Sequence, residues 1–241
     1  MDAYERHSLA YGAGKSLPYR VLYPENYDST RQYPLVLFLH GRGECGTDNE
    51  KQLTHGAKLF LDPVNRRSYP AIVLFPQCPV ESYWSSVKID RSSSPATFVF
   101  DDSGAPSEPL AAVADLVQRF IQNGQADPSR VYITGLSMGG MGTFEMVDRH
   151  PELFAAAAPI CGGGDTRHYS KAVRKIPFWV FHGGADPVVP VKHSREMVQK
   201  LESLRVSVKY SEYPGVGHNS WDNAFAEPDF LAWMFQQRRK K

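Results

Sequence analysis

Gly135-Leu136-Ser137-Met138-Gly139-Gly140 follows a short apolar run, Val131-Tyr132-Ile133-Thr134, and precedes a segment, Met141 to Arg149, that reads as helix. Strand, G-x-S-x-G, helix is a turn so tight that its serine takes a strained backbone conformation. The flanking glycines let the strand and helix backbones approach without a Cβ clash. The helix N-terminus then turns its unbonded N–H groups and positive dipole end toward the serine. Alone the match is weak, because Gly and Ser are common loop residues, so its meaning depends on what surrounds it.

Upstream, Leu35-Val36-Leu37-Phe38-Leu39 is continuously apolar, as a strand buried on both faces in the middle of a parallel sheet would be. Ala71-Ile72-Val73-Leu74-Phe75, stopped by Pro76, reads the same way. Tyr19-Arg20-Val21-Leu22-Tyr23 alternates and ends at Pro24, which predicts an antiparallel edge strand. Downstream, Phe154 to Ile160, Phe178-Trp179-Val180-Phe181 and the alternating Val206, Val208 and Tyr210 predict further strands. Leu110, Val113, Ala114, Val117, Phe120 and Ile121 recur at three and four residues and predict a helix ended by Asn123-Gly124. Met197, Val198, Leu201 and Leu204 mark another helix, and Phe230, Leu231, Trp233 and Met234 a closing one. Strand and helix alternate, which predicts an α/β fold: a doubly wound, mostly parallel sheet with helices on both faces, in one domain over residues 1–241.

Composition narrows the function classes. The 241 residues carry 27 Lys+Arg against 26 Asp+Glu, so nothing electrostatic points to nucleic acid or an anionic membrane. The basic cluster Arg238-Arg239-Lys240-Lys241 is expected to be a solvated tail. No apolar run approaches the ~20 residues of a membrane span, and the start Met1-Asp2-Ala3-Tyr4-Glu5-Arg6-His7 has no apolar signal region. The expectation is a cytoplasmic protein, or a secreted or periplasmic one whose leader has been removed. Cys45, Cys78 and Cys161 are too few for a disulfide framework; free buried thiols are expected, with a Cys45–Cys78 bridge as the alternative. No Cys/His cluster has zinc spacing, so no metal site is expected.

Ligands of open parallel sheets bind beyond the carboxyl ends of the strands, and three polar stretches stand there. They are His40-Gly41-Arg42-Gly43-Glu44, His182-Gly183-Gly184-Ala185-Asp186-Pro187-Val188-Val189-Pro190 and Gly215-Val216-Gly217-His218-Asn219-Ser220-Trp221. With Ser137 they give Ser, Asp, His in chain order, spaced by 49 and 32 residues. A serine hydroxyl is a poor nucleophile until an imidazole takes its proton, and a carboxylate on the other ring nitrogen fixes the tautomer and stabilises the imidazolium. The candidate set is therefore Ser137, His218 and Asp186, with Asp165 and Asp222 as rivals for the acid. Backbone N–H groups must meet the oxyanion; Met138 is one candidate donor, and Arg42, or alternatively Gly41, the other.

These stretches, with Pro76-Gln77-Cys78-Pro79, resemble the α/β-hydrolase superfamily, and within it the dienelactone hydrolase, phospholipase/carboxylesterase and prolyl-oligopeptidase-like esterase branch. The resemblance spans Leu35 to Trp233. It implies hydrolysis of esters or thioesters without a cofactor. Leu39-His40-Gly41-Arg42-Gly43-Glu44 and Trp221 are similar to esterases of this branch that act on plant cell-wall esters, which implies a small-molecule or polysaccharide-linked ester as substrate. An oligomer is left open. Peptidase action is a second reading; the family's oligopeptidases gate substrate with a propeller, for which 241 residues leave no room. A non-catalytic binding module is a third.

Other residues have two readings each. Trp84, in the long 77–109 segment, is an aromatic cleft wall or plain packing. Trp221 lines the site or packs in the core. Arg42 and Glu44 contact substrate or pair with each other. His55 lines the site or lies on the surface beside it. His40 and His182 are expected to bond backbone carbonyls at strand ends, and His7, His150, His168 and His193 to lie on the surface. Only sixteen residues, 161 to 176, stand where a large cap would be inserted, so no large lid is expected there.

Overall fold

The computed structural model describes residues 1–239. In chain order the first elements are β1 (Tyr4–Tyr11), β2 (Lys15–Leu22), β3 (Tyr33–Leu39), α1 (Ala57–Leu61), α2 (Pro63–Ser68), β4 (Ile72–Pro76), β5 (Val87–Asp90) and β6 (Thr97–Phe100). Then follow α3 (Glu108–Gln122), β7 (Ala126–Leu136), α4 (Met138–Arg149), β8 (Ala156–Ile160), β9 (Phe178–Gly183), α5 (Lys192–Ser203), β10 (Val208–Tyr213), α6 (Trp221–Ala226) and α7 (Phe230–Phe235). Eight strands form one sheet in the order β1-β2-β4-β3-β7-β8-β9-β10. From β4 to β10 every neighbouring pair is parallel, while β2 runs antiparallel to both β1 and β4.

Both faces of the sheet are covered, and period-2 alternation decides which residue serves which face. Leu35, Leu37 and Leu39 of β3 join the core beneath α3, α4 and α5, while Val36 and Phe38 join the opposite core beneath α1, α6 and α7. Val131 and Ile133 of β7 divide from Tyr132 in the same way, and Phe178 and Val180 of β9 from Trp179 and Phe181. The architecture is the α/β-hydrolase fold.

Several expectations are corrected. The strand expected at the edge is β2, and β1 lies outside it. In β1 only Tyr4 and Leu9 are buried, so it carries little apolar signal. The connection turns on Gly12 and Gly14, both at positive φ. The 77–109 segment is not a bare loop but contains the β5–β6 hairpin, registered from Val87↔Phe100 to Asp90↔Thr97. Phe98 and Phe100 stand 5.5 Å from the His193 ring, which is buried rather than on the surface. The Arg238 side chain is exposed, as expected of a solvated tail, although it lies 3.8 Å from Asp127 and the Arg239 N–H donates to Ser129 O at 2.8 Å; Lys240 and Lys241 lie outside the described residues. As expected, the three cysteines are buried and free; the alternative Cys45–Cys78 bridge is not formed.

The hairpin is anchored at its base by acidic groups. Glu145 of α4 accepts from the Ser86 N–H and hydroxyl and from Arg149 Nε (2.8 Å). Asp102, only 6% exposed, has neither carboxyl oxygen hydrogen-bonded within the described residues. Burial, then the neighbouring Glu145 charge, push its pKa up to about 8. An unfolded-chain Asp titrates near ~4, so the fold keeps a proton that the unfolded chain releases. The contribution of Asp102 to stability is therefore fully present below about pH 4 and is lost as pH rises to about 8. Asp102→Asn removes this titration. Its Tm relative to the parent should rise between pH 5 and pH 8; a difference that does not change with pH would contradict the assignment.

Candidate active site

Ser137 stands between β7 and α4 with φ 54° and ψ −115°, the strained conformation the motif implies. Close backbone approach makes the turn possible. A Cβ on Gly139 would stand 1.9 Å from Leu39 O, and one on Gly140 2.3 Å from Ile160 O. The first turn of α4 thus rests directly on the ends of β3 and β8. Ser137 N–H donates to Ile160 O at 2.9 Å, and Ser137 O accepts from Met141 N–H at 3.0 Å.

His218 joins Ser137 and Asp186. Its Nε2 lies 2.9 Å from Ser137 Oγ and its Nδ1 2.7 Å from Asp186 Oδ2. The Asp186 side chain is completely buried. Burial opposes its ionisation, but hydrogen bonds from His182, His218 and the Val189 N–H outweigh burial and hold the carboxyl well below the usual carboxylate range. Oδ1 accepts from Val188 N–H (2.8 Å) and Val189 N–H (3.0 Å). His182 donates from Nε2 to Val189 O at 2.9 Å, and the same nitrogen lies 3.3 Å from Asp186 Oδ2. That second contact of His182 depends on the turn after β9, which brings Asp186 back against the strand end, so local sequence spacing does not reveal it. The rival acids stand elsewhere: Asp165 is held by Arg167 at 2.6 Å, and Asp222 is exposed and accepts from Asn219.

The turn after β3 has a defined orientation. His40 is buried, and burial lowers its pKa to about 4, so the ring is neutral. It donates from Nδ1 to Gly41 O (2.6 Å) and accepts at Nε2 from Cys78 N–H (2.9 Å). In a trans peptide C=O and N–H point in opposite directions. Holding Gly41 O toward His40 therefore turns the Arg42 N–H away from it. Among the described residues neither the Arg42 nor the Met138 N–H has a hydrogen-bond partner.

The flanking residues divide. Trp84 is no cleft wall: it is fully buried, its ring 5.4 Å from His40 and its Cβ against Gly142 of α4, wedged between strand end and helix. Arg42 and Glu44 do not pair with each other. The Arg42 guanidinium donates to Ser82 O (2.7 Å) and Val80 O (2.5 Å) and lies over the Tyr83 ring. The Glu44 carboxylate sits beside Gly41, 3.7 Å from His55 Nε2. His55 in turn contacts Trp221, with ring centroids 5.0 Å apart, and Trp221 stands edge-on to His218 at 5.5 Å. Tyr83, Val87 and Phe98, all part-exposed, pack against Phe100, Met141 and Val189. Tyr83 and Phe98, rather than Trp84, are the part-exposed aromatic side chains of the 77–109 segment in this cluster. The sequence reading missed them because their position depends on the hairpin.

Among the described residues no helix is long and apolar enough to cross a membrane. The sequence profile of the phospholipase/carboxylesterase family matches residues 27–229. The chain is similar to a probable carboxylesterase of Oryza sativa subsp. japonica, 28% identical over 207 residues that cover 79% of this chain and 73% of the relative. It is equally similar to acyl-protein thioesterase 1 of Neurospora crassa, 28% identical over 222 residues covering 83% and 86%. Among solved structures, a thermostable esterase superposes with a TM-score of 0.88 at 39% identity over 99% of this chain; the chain spans 64% of that esterase's length. The chain belongs to the phospholipase/carboxylesterase family of α/β-hydrolases.

Proposed function

We propose that this protein is a serine carboxylic-ester hydrolase working through an acyl-enzyme, on short-acyl or aromatic-acyl esters of the feruloyl type. The observation that carries the reading is the unbroken Ser137–His218–Asp186 hydrogen-bond series, 2.9 and 2.7 Å, ending on a buried carboxylate with a lowered pKa. His218 Nε2 takes the Ser137 proton as Oγ bonds to the ester carbonyl carbon. The tetrahedral oxyanion is met by the N–H groups of Met138 and Arg42; the orientation that His40 imposes on the Gly41 carbonyl favours Arg42 over Gly41. The carbon–oxygen bond to the alcohol then breaks, and His218 returns the proton to the departing oxygen. Water, deprotonated by His218, attacks the acyl-enzyme. The bond between the acyl carbon and Ser137 Oγ then breaks, the carboxylic acid leaves, and His218 passes the proton it took from water to Oγ. No metal or cofactor enters these steps.

The acyl preference rests on shape. Part-exposed Tyr83, Val87 and Phe98 pack over Phe100, Met141 and Val189, and an apolar surface of that make-up suits a short chain or a flat ring. The likeness to acyl-protein thioesterase 1 adds thioesters as a second reading.

A panel of acetyl, butyryl, octanoyl and feruloyl esters, with butyryl thioester and an aminoacyl anilide, tests this. Acetyl, butyryl and feruloyl esters should exceed octanoyl in kcat/KM, and the anilide should lag all of them. A preference for octanoyl would sink the acyl assignment, and anilide turnover rivalling the esters would revive the peptidase reading. A fluorophosphonate should label Ser137; failure to label the folded protein would favour a non-catalytic binding module.

A further inference from the structure

We infer that His182 is a positioning residue of the reaction: held by Ser194, it acts on Ser137 through Asp186 and His218. The inference rests on the ester-hydrolase reading above and adds a second histidine to its acid.

Geometry comes first. Asp186 Oδ2 lies 2.7 Å from His218 Nδ1 and 3.3 Å from His182 Nε2, so one oxygen sits between two imidazoles. His182 Nε2 carries a hydrogen whatever the state of the ring, because Val189 O, 2.9 Å away, can only accept. Val189 O alone would satisfy that hydrogen, so burial of the ring does not require its approach to Oδ2. On the far side of the ring, Nδ1 lies 2.7 Å from Ser194 Oγ of α5, and the same hydroxyl lies 3.2 Å from Gly162 O. Gly162 in turn packs on α4: a Cβ there would stand 2.5 Å from Gly140 C and 2.8 Å from Met141 N. The contacts close a ring, from Ser137 through His218, Asp186, His182, Ser194 and Gly162 back to the helix that follows Ser137. His182, Ser194 and the Asp186 side chain are completely buried, so bulk water does not stand in for a lost member.

Charge comes second. An N–H beside Oδ2 stabilises the carboxylate and weakens its pull on the His218 Nδ1–H. Without that N–H the imidazolium form of His218 is favoured. The neutral form, which takes the Ser137 proton, is then reached only at higher pH. The other titratable groups around the pair do not mimic this effect. Glu212 of β10, the register partner of His182, is held by Arg195 (2.9 Å) well below the usual carboxylate range and stays ionised. Burial, then the Asp186 charge, push the Cys161 thiol up, so it stays protonated. Burial lowers the pKa of His193 of α5 from the ordinary histidine value.

The test is the pH profile of kcat/KM on a butyryl ester and of the rate at which a fluorophosphonate labels Ser137. His182→Leu removes the N–H, whereas His182→Gln keeps an N–H near the Nε2 position and has no ring to titrate. His182→Leu should lower plateau kcat by about tenfold, with KM within about twofold, as for one lost hydrogen bond to a charged group. Its acid limb should move to higher pH, so that activity at pH 6 relative to pH 8 falls about threefold further than in the parent. His182→Gln should keep the parent profile and most of the rate. A packing role alone would lower Tm in both variants and leave the shape of the profile as it is. Should His182→Leu not fold, Ser194→Ala, which deletes one hydroxyl and frees the ring, should move the acid limb the same way by less. An unmoved acid limb in whichever of these two variants folds, or an equal displacement in His182→Gln and His182→Leu, overturns the inference. A parent protein that the fluorophosphonate does not label at Ser137 overturns the ester-hydrolase reading instead.

Discussion

Ser137→Ala should lower kcat/KM on a butyryl ester by at least about a thousandfold while leaving the fold in place. The size of the loss follows from what remains: without the nucleophile only oxyanion stabilisation and substrate binding persist, and these account for a small share of catalysis by such triads. The fold should survive because Ser137 Oγ is bonded only to His218, whereas the serine's backbone bonds, to Ile160 O and from Met141 N–H, do not involve the side chain. Steady-state kinetics with a melting curve on the same preparation checks both halves. A variant that keeps a tenth of the parent activity with an unchanged Tm would remove Ser137 from the chemistry.

Gly139→Ala has the largest expected effect on stability. The added Cβ would stand 1.9 Å from Leu39 O, 2.5 Å from Leu39 C and 2.8 Å from His40 O. These are backbone atoms of the central strand β3 and the turn after it, so no side-chain rotation relieves the clash. Overpacking a well-filled core costs about 1–3 kcal/mol, and a clash with fixed backbone belongs at or beyond the top of that range. About 3 kcal/mol corresponds to a fall in Tm of roughly 6–12 °C for a chain of this size. Gly104→Ala is the control, since nothing lies within 4 Å of the Cβ it would add. Thermal unfolding of the two variants side by side decides the matter; equal Tm values would show that β3 and α4 part more easily than their contact suggests.

The centre of this fold was legible because its strands announce themselves. Five apolar residues in a row at Leu35–Leu39 fit only a strand covered on both faces, and the structure divides them between two cores. The polar residues that end such strands were legible for the same reason: once the strands are known, their carboxyl ends are known, and Ser137, Asp186 and His218 all stand there. The periphery was harder. β1 exposes most of its side chains, and β5 and β6 are four residues each within a serine-rich stretch, too short for alternation to register. The small helices α1, α2 and α6, of five or six residues, carry too little periodicity to be read. Trp84 shows the deeper limit. Its neighbours are His40 and Gly142, from segments far apart in the chain, and no local pattern tells an aromatic residue on a cleft wall from one wedged beneath it. His193 is buried for a similar reason, because the hairpin over it is itself a tertiary feature.

The backbone-on-backbone seat of α4 also bears on how such a protein can be altered. Beneath Ser137 the floor is made of main-chain atoms of β3, β8 and the glycines facing them, and it presents no side chain to exchange. Adjusting the centre by substitution is therefore closed, because any new atom there pushes on a strand. What can be rewritten is the perimeter, the hairpin tip on one side and the short helices α1 and α6 on the other. The residues around the hairpin turn, Lys58 of α1 and Asp222, Asn223 and Ala226 of α6 are exposed, so changes at these positions disturb few buried partners, whereas Ala57, Phe60 and Ala224 belong to the core. A laboratory seeking new substrates from this scaffold would do best to diversify those two margins and leave the seat of the serine untouched.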